Sequence, residues 1–257
     1  MIFRQATLAD LPQMMSLWHL CFPEDDEAFV CRFFAEIPIE QGLVACKGEV
    51  LSMLFLLPAE LVVDGNRYPV RYLYAGCTHP DFRHGGVFAA LLRYALRFVQ
   101  EAGECGIYLC PADYELASYY EKQGYRGGIG GWLGNGMYDA ALMHTVSVEE
   151  YRVARDRFLP TDLPYFRLGE QAERFFCDEL RRDGWQLLSS DSGCCVLSED
   201  GSFAYDCLGA LPAVSCYGAV PTATKQNTAW WISTEQGKAI DTALLNGEAY
   251  TAFLGDF

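Results

Sequence analysis

The chain has 257 residues, room for one large domain or two modest ones, and its 51% apolar and 21% charged content excludes a disordered, collagenous or low-complexity protein. Its 19 Lys and Arg against 34 Asp and Glu leave a formal charge of -15, which excludes a general nucleic-acid or anionic-membrane binder, since both need a basic surface. No acidic tail explains the excess: 10 basic and 16 acidic residues fall within residues 1–130, and 9 and 18 in the remainder.

Eleven cysteines are an odd number in a long chain, and the opening Met1-Ile2-Phe3-Arg4-Gln5 carries no apolar signal segment. A reduced, cytoplasmic protein is expected, with most thiols acting as small buried hydrophobes. No CxxC or HxxxH spacing occurs, so no metal site is expected. The longest apolar stretch, Val50 to Pro58, is too short to cross a bilayer.

Ile2 to Ala6 alternates like a short strand, and Thr7-Leu8-Ala9-Asp10 resembles a capping box that opens a helix through Leu11, Met14, Met15, Leu17 and Trp18. A second helix spans Glu27 to Ile37, stopped by Pro38, with Phe29, Phe33 and Phe34 read as core. Three extended segments follow, Gly42 to Lys47, Val50 to Leu57 and Tyr68 to Thr78, the last two joined by the turn Asp64-Gly65-Asn66. After Pro80 the period changes to 3.6, and Val87, Leu91, Leu92, Ala95, Leu96 and Val99 share one face of a helix ending near Gly103. Ile107 to Cys110 reads as a strand and Glu115 to Gln123 as a helix closed by Gly124. Arg126 to Trp132 and Met137 to Val146 read as paired strands about Leu133-Gly134-Asn135-Gly136. Beyond them, Ser147-Val148-Glu149-Glu150 caps a helix to Phe158, Pro160 to Pro164 connects, and Gly169 to Asp183 is helical. Short strands are expected at Trp185–Ser189, Cys194–Leu197, Phe203–Cys207 and Ala229–Ile232.

Chemistry concentrates between Leu73 and Leu92, where a strand ends in Cys77-Thr78, turns at His79-Pro80-Asp81-Phe82, and enters a helix through Arg83-His84-Gly85-Gly86-Val87-Phe88-Ala89. Such a loop aims several amides and the positive end of a helix dipole at one point, which suits a pyrophosphate. It is neither a Walker A loop nor GxGxxG.

Arg83-x-x-Gly86 resembles the acyl-CoA signature of the GCN5-related N-acetyltransferase (GNAT) family, [QR]-x-x-G-x-[GA]. Ala117-Ser118-Tyr119-Tyr120-Glu121-Lys122-Gln123-Gly124-Tyr125 is similar to that family's A-x-x-[FY]-Y-x-x-x-G-[FY] helix, and the order of elements agrees over residues 1–146. Phe88 departs from the pattern, standing where Gly or Ala is usual. The resemblance implies an α+β fold, a GNAT-like mixed sheet flanked by helices. It implies acetyl-CoA as co-substrate, with Cys77 and Thr78 at the pantetheine and thioester, and Arg83, His84, Gly85, Gly86, Val87, Phe88 and Ala89 at the pyrophosphate. Tyr120 would be the general acid to the leaving thiolate, with Tyr119 packing beside it. The acetyl group would pass by direct attack to a primary amine of a small molecule or peptide, a cationic one given the chain's charge. Glu60 and His79 are the nearest candidate bases, and neither is assigned. A non-catalytic acyl-CoA sensor or protein-interaction module is the alternative.

Residues 147–257 carry no pyrophosphate loop but repeat the order of two helices and several strands, which suggests a smaller, degenerate GNAT-like unit without a cofactor site. This tandem plan resembles the enhanced-intracellular-survival group, without its sterol-carrier-like domain. A homodimer is the expected assembly.

Overall fold

The computed structural model describes residues 1–136, 142–210, 212–219, 224–241 and 249–251. The first half runs β1 (Ile2–Gln5), α1 (Leu11–Cys21), α2 (Glu27–Glu36), β2 (Gly42–Lys47), β3 (Glu49–Val63), β4 (Asn66–Thr78), α3 (Val87–Glu101), β5 (Gly106–Leu109), α4 (Tyr114–Lys122), β6 (Arg126–Asn135) and β7 (His144–Thr145). The second runs α5 (Val148–Phe158), β8 (Tyr165–Leu168), α6 (Glu170–Arg182), β9 (Gln186–Ser189), β10 (Gly193–Leu197), β11 (Phe203–Gly209), β12 (Ser215–Gly218), β13 (Thr224–Ser233) and β14 (Tyr250–Thr251). The fold is α+β.

Local chemistry sets most of these boundaries. The capping boxes at Thr7/Asp10 and Ser147/Glu150 both form and satisfy amides that a helix start leaves open. Asp64 and Gly65 have φ of 49° and 75°, the left-handed pair that a tight hairpin between β3 and β4 requires. β3 is buried almost continuously from Val50 to Leu57, because α1 packs against it and α3 lies over the same strands. A strand covered on both faces has no polar alternation.

The strands form one mixed sheet in the order β1-β2-β3-β4-β5-β13-β6-β12-β11-β10-β9-β7, with β8 pairing β3, and β14 pairing β6 and β8. Sequence and structure part company in three places. The expected hairpin between Arg126–Trp132 and Met137–Val146 is replaced: β6 pairs with β12 and with β13, while β7 pairs with β9. Residues 137–141 of that hairpin lie outside the described residues. Tyr165–Leu168 and Ser215–Gly218 are strands in stretches for which the sequence predicts no element. Finally, β13 begins at Thr224, ahead of the expected Ala229, and lies antiparallel between β5 and β6, with Trp230 opposite Leu109 and Ile232 opposite Ile107. The sheet is therefore continuous across residue 146.

Trp18 is the hub of the aromatic core beside the site, 1% exposed, with ring centroids of Phe33, Phe34 and Phe22 at 4.8, 5.6 and 5.6 Å. Phe33 in turn meets Phe175 of α6 at 5.6 Å, so helices from both halves share this cluster. In β13, Trp231 is buried and Trp230 half-buried, as alternation predicts. Eight of the eleven cysteines are buried, which agrees with a packing role for most. Among the described residues, no helix is long and apolar enough to cross a membrane, and no group of His, Cys, Asp or Glu is placed to hold a metal.

Candidate active site

β4 and β5 run parallel but pair only at Arg71 with Ile107 and Tyr72 with Tyr108. Beyond these the two strands part. A bulge widens the opening: Met53 faces Cys77 and Phe55 faces Tyr74, so Ala75 and Gly76 together oppose Leu54, with Ala75 at φ 49°. A bulge of this kind bends the strand and re-aims its peptide groups. Its trace in the sequence is the small pair Ala75-Gly76 inside an otherwise bulky strand, a signal that the sequence reading did not use.

The opening leads into a cavity of about 420 Å3. Leu73 to Gly76 line one side and Leu109 to Ala112 the other, with Leu116 and Tyr120 from α4. The remaining walls come from three helices: Trp18 of α1; Phe29 and Arg32 of α2; Phe176, Glu179 and Leu180 of α6, with Asp183 just beyond it. Five carboxylates line the cavity, Glu24, Asp25, Asp26, Glu179 and Asp183. Two are engaged locally, since Asp25 accepts from Trp18 Nε1 at 2.6 Å and Asp26 caps α2 through the Phe29 amide. Glu179 holds Arg32 through both its oxygens, with Nε at 2.8 Å. Burial and the neighbouring Glu179 and Asp26 carboxylates push the Asp183 carboxyl above its ordinary range, against the pull of Arg32. Phe29, read from the sequence as core, lines this cavity. Glu60 and His79 do not line it: Glu60 pairs with Arg67 at 3.0 Å on the far stretch of the hairpin, and His79 Nδ1 accepts from the Asp81 amide.

Above the opening stands the glycine loop. His84 and Gly86 have φ of 63° and 74°, and Gly86 is the N-cap of α3, with no side-chain cap and no acidic residue in the first turn. The first ladder bond across this end is Ala90 N–H to Gly86 O at 3.0 Å, so the amides of Val87, Phe88 and Ala89 are the ones a helix start leaves unpaired. A left-handed residue beside such amides forms a concavity suited to an anion. The Arg83 guanidinium turns back, Nε donating to Thr78 O at 3.1 Å and Nη2 lying 3.7 Å from Cys21 Sγ. Thr78 and Cys77 are buried, tied by Ser52, whose hydroxyl donates to Cys77 O at 2.7 Å and lies 2.8 Å from Thr78 Oγ1.

Tyr120 is 6% exposed and lines the cavity from α4. Its ring packs edge-on to Phe88, Tyr119 and Tyr125 at 6.4, 5.6 and 5.5 Å. Phe88 finds its room at Gly76: a Cβ there would stand 2.7 Å from Phe88 Cζ. The bulky residue in the loop and the missing side chain in the strand are thus a matched pair. Gly76→Ala should cost about 1–3 kcal/mol in urea unfolding, and Phe88→Ala in the same chain should return part of it, a coupling of about 0.5–3 kcal/mol in a double-mutant cycle.

A family model described as an acetyltransferase (GNAT) domain matches residues 3–128, the stretch holding both the glycine loop and the Tyr120 helix. Residues 3–128 are a GNAT acetyltransferase domain. The protein is accordingly an acyltransferase. Solved structures of similar fold include a GCN5-related N-acetyltransferase from Kribbella flavida, 13% identical, covering 90% of this chain and 70% of its own at a TM-score of 0.67. A GCN5-related N-acetyltransferase from Anabaena variabilis ATCC 29413 is 16% identical over 90% and 71%, TM-score 0.63. Eis1 from Mycobacterium abscessus is 12% identical over 91% and 74%, TM-score 0.69. These likenesses extend past the GNAT domain, so the fold they share includes the second half. The search of curated proteins finds no match.

Proposed function

We propose that the protein transfers the acetyl group of acetyl-CoA to a primary amine of a cationic small molecule or peptide. The observation that carries this reading is the single opening at which the β4/β5 gap, the glycine loop and a carboxylate-lined cavity meet. The anionic end of acetyl-CoA sits on the amides of His84 to Ala89, with Arg83 fixing the loop to Thr78. The pantetheine follows the gap past Cys77, Thr78 and Gly76, and the thioester reaches Tyr120. A thiolate is a tolerable leaving group, so direct attack needs positioning and a route for one proton more than it needs a covalent intermediate.

The acceptor enters from the other side. There the carboxylates share the wall with one guanidinium already engaged by Glu179, and the aromatic side chains of Trp18, Phe29 and Tyr74 line the approach. An alkylammonium is attracted by both. In this reading residues 1–146 bind acetyl-CoA and residues 147–257 bind none, yet the second unit supplies α6 as an acceptor wall and β13 as the neighbour of β5.

A direct titration with acetyl-CoA, followed by a panel of amines assayed for released thiol, tests the reaction. Binding without transfer to any amine would instead favour the sensor reading. The charge argument has its own measurement: kcat/KM for a cationic amine should fall as ionic strength rises through the range that screens surface charge. Asp183→Asn should raise its KM roughly two- to fivefold, the scale of a partly exposed ion pair. Equal KM values for charged and neutral acceptors would overturn a cationic preference.

A further inference from the structure

Among the described residues that line the acceptor cavity, five are carboxylates and a single one, Arg32, is a cation. Three of the carboxylates are already committed: Asp25 accepts from the Trp18 indole, Asp26 from the Phe29 amide, and Glu179 from Arg32. The last of these pairs joins the two halves of the chain. From α2 the guanidinium reaches the buried Glu179 carboxylate of α6 and meets it in two-point contact, Nε donating to Oε1 at 2.8 Å and Nη2 to Oε2. Arg182 Nε also lies 3.2 Å from Oε1, but Arg182 is not part of the cavity wall. Asp183 follows Glu179 by one helical turn, its amide bonded to Glu179 O at 3.0 Å, and both side chains line the cavity. Glu179 first, then Asp26 and Asp183, hold the guanidinium in its charged form. The strongest cation position of the cavity is therefore occupied by a side chain of the protein itself.

We propose that Arg32 is a specificity-determining residue: it fills the cation position against Glu179 from within the chain, and so restricts the acceptor to a monoamine with an apolar body. This role rests on the amine-acceptor site proposed above. With Glu179 matched by a planar, two-point donor, a second ammonium on the acceptor meets no buried carboxylate to pair with, and burying an unpaired charge is costly. Glu24 and Asp183 are left to attract one ammonium. The rest of the wall suits carbon, since Trp18, Phe29, Tyr74, Leu116, Phe176 and Leu180 line it and can pack an aryl or alkyl chain. Arg32 is also not the only tie between its two helices. Gln171 Nε2 donates to Glu36 O at 2.6 Å, and Phe175 packs against Phe29 and Phe33 at 5.7 and 5.6 Å. Truncating Arg32 thus opens a cation position without parting α2 from α6.

Linear monoamines of increasing length are assayed for thiol release beside the α,ω-diamine of the same length, in the wild type and in Arg32→Ala. The wild type should take the monoamine better than its diamine. In Arg32→Ala the kcat/KM ratio of diamine to monoamine should rise at least about tenfold at the length that spans the cavity, the scale of a hydrogen bond to a charged group. Arg32→Lys, which keeps a cation in place, should keep the wild-type order. A wild type that prefers diamines would overturn the assignment with no variant needed, and so would an unchanged ratio in Arg32→Ala. A second readout needs no turnover: ethylguanidinium, titrated calorimetrically, should bind Arg32→Ala but not the wild type, and should raise the urea midpoint of the variant. Absence of binding to the folded variant would show that Arg32 fills no cation position. If the wild type acetylates no amine while ethylguanidinium binds the variant, the acceptor reading fails and the filled cation position stands.

Discussion

Tyr120→Phe should lower kcat for acetyl transfer by roughly 10²–10⁴-fold, the scale of a lost general acid, while the affinity for acetyl-CoA stays close to that of the wild type. The reason for expecting a split lies in the packing. The phenol ring is held by edge contacts with Phe88, Tyr119 and Tyr125, all of which Phe reproduces, so the variant removes one hydroxyl and leaves the walls of the gap in place. Tyr120 lines the cavity from α4 together with Leu73–Gly76 and Leu109–Ala112, and in the proposed reaction its hydroxyl is the proton source for the departing thiolate. Steady-state thiol release gives kcat, and a separate titration gives the cofactor affinity. Turnover equal to wild type would remove the acid role from Tyr120 and return it to packing.

Arg155→Ala should destabilise the fold by about 3–5 kcal/mol, the cost of leaving a buried charge without its partner. Arg155, Glu173 and Asp206 are each 1% exposed or less. The guanidinium donates to Asp206 Oδ2 at 2.6 Å and to Glu173 Oε1 at 3.2 Å, and Asp206 also accepts from Tyr151 and Tyr250 at 3.0 and 2.7 Å. Arg152, on the same helix, donates to Glu173 at 3.0 Å. Without Arg155, Asp206 keeps two phenols but no cation, and Glu173 keeps Arg152 alone. A loss of that size is a large share of an ordinary domain's stability. It should appear as a lower urea midpoint at unchanged slope. Function follows from geometry, because Glu173 is on α6, the helix whose later turns present Phe176, Glu179 and Leu180 to the cavity. A midpoint within about 1 kcal/mol of wild type would show that water or rearrangement satisfies the two carboxylates.

The Gly76–Phe88 pair shows where sequence reading stops. Both residues are plain in the sequence, and Phe88 stands out there as a departure from the family pattern. What the sequence does not carry is that the ring points at a strand position that lacks a side chain, because the two are brought together only when α3 lies across β4. The acceptor wall is a similar case. Phe176 and Glu179 belong to an amphipathic helix legible from its period, with Asp183 just past its end, yet nothing in that period says that its buried face meets Phe29, Phe33 and Tyr74. By contrast, the turn through Gly86 into α3 was legible residue by residue, since it depends on backbone freedom and a helix start, which adjoining residues supply.

The sequence by itself therefore determined the helices, the hairpin turn at Asp64-Gly65, both capping boxes and the loop–helix pair of the GNAT domain. These depend on hydrogen bonds and backbone angles among residues a few positions apart, so composition and spacing encode them directly. Only the tertiary structure decided that β13 slides between β5 and β6, that the Arg126–Trp132 strand takes β12 and β13 as partners, and that α6 closes the cavity. Short strands expose the same backbone donors and acceptors whatever their neighbour, and the choice among them is made by which apolar faces can be buried together across the whole chain.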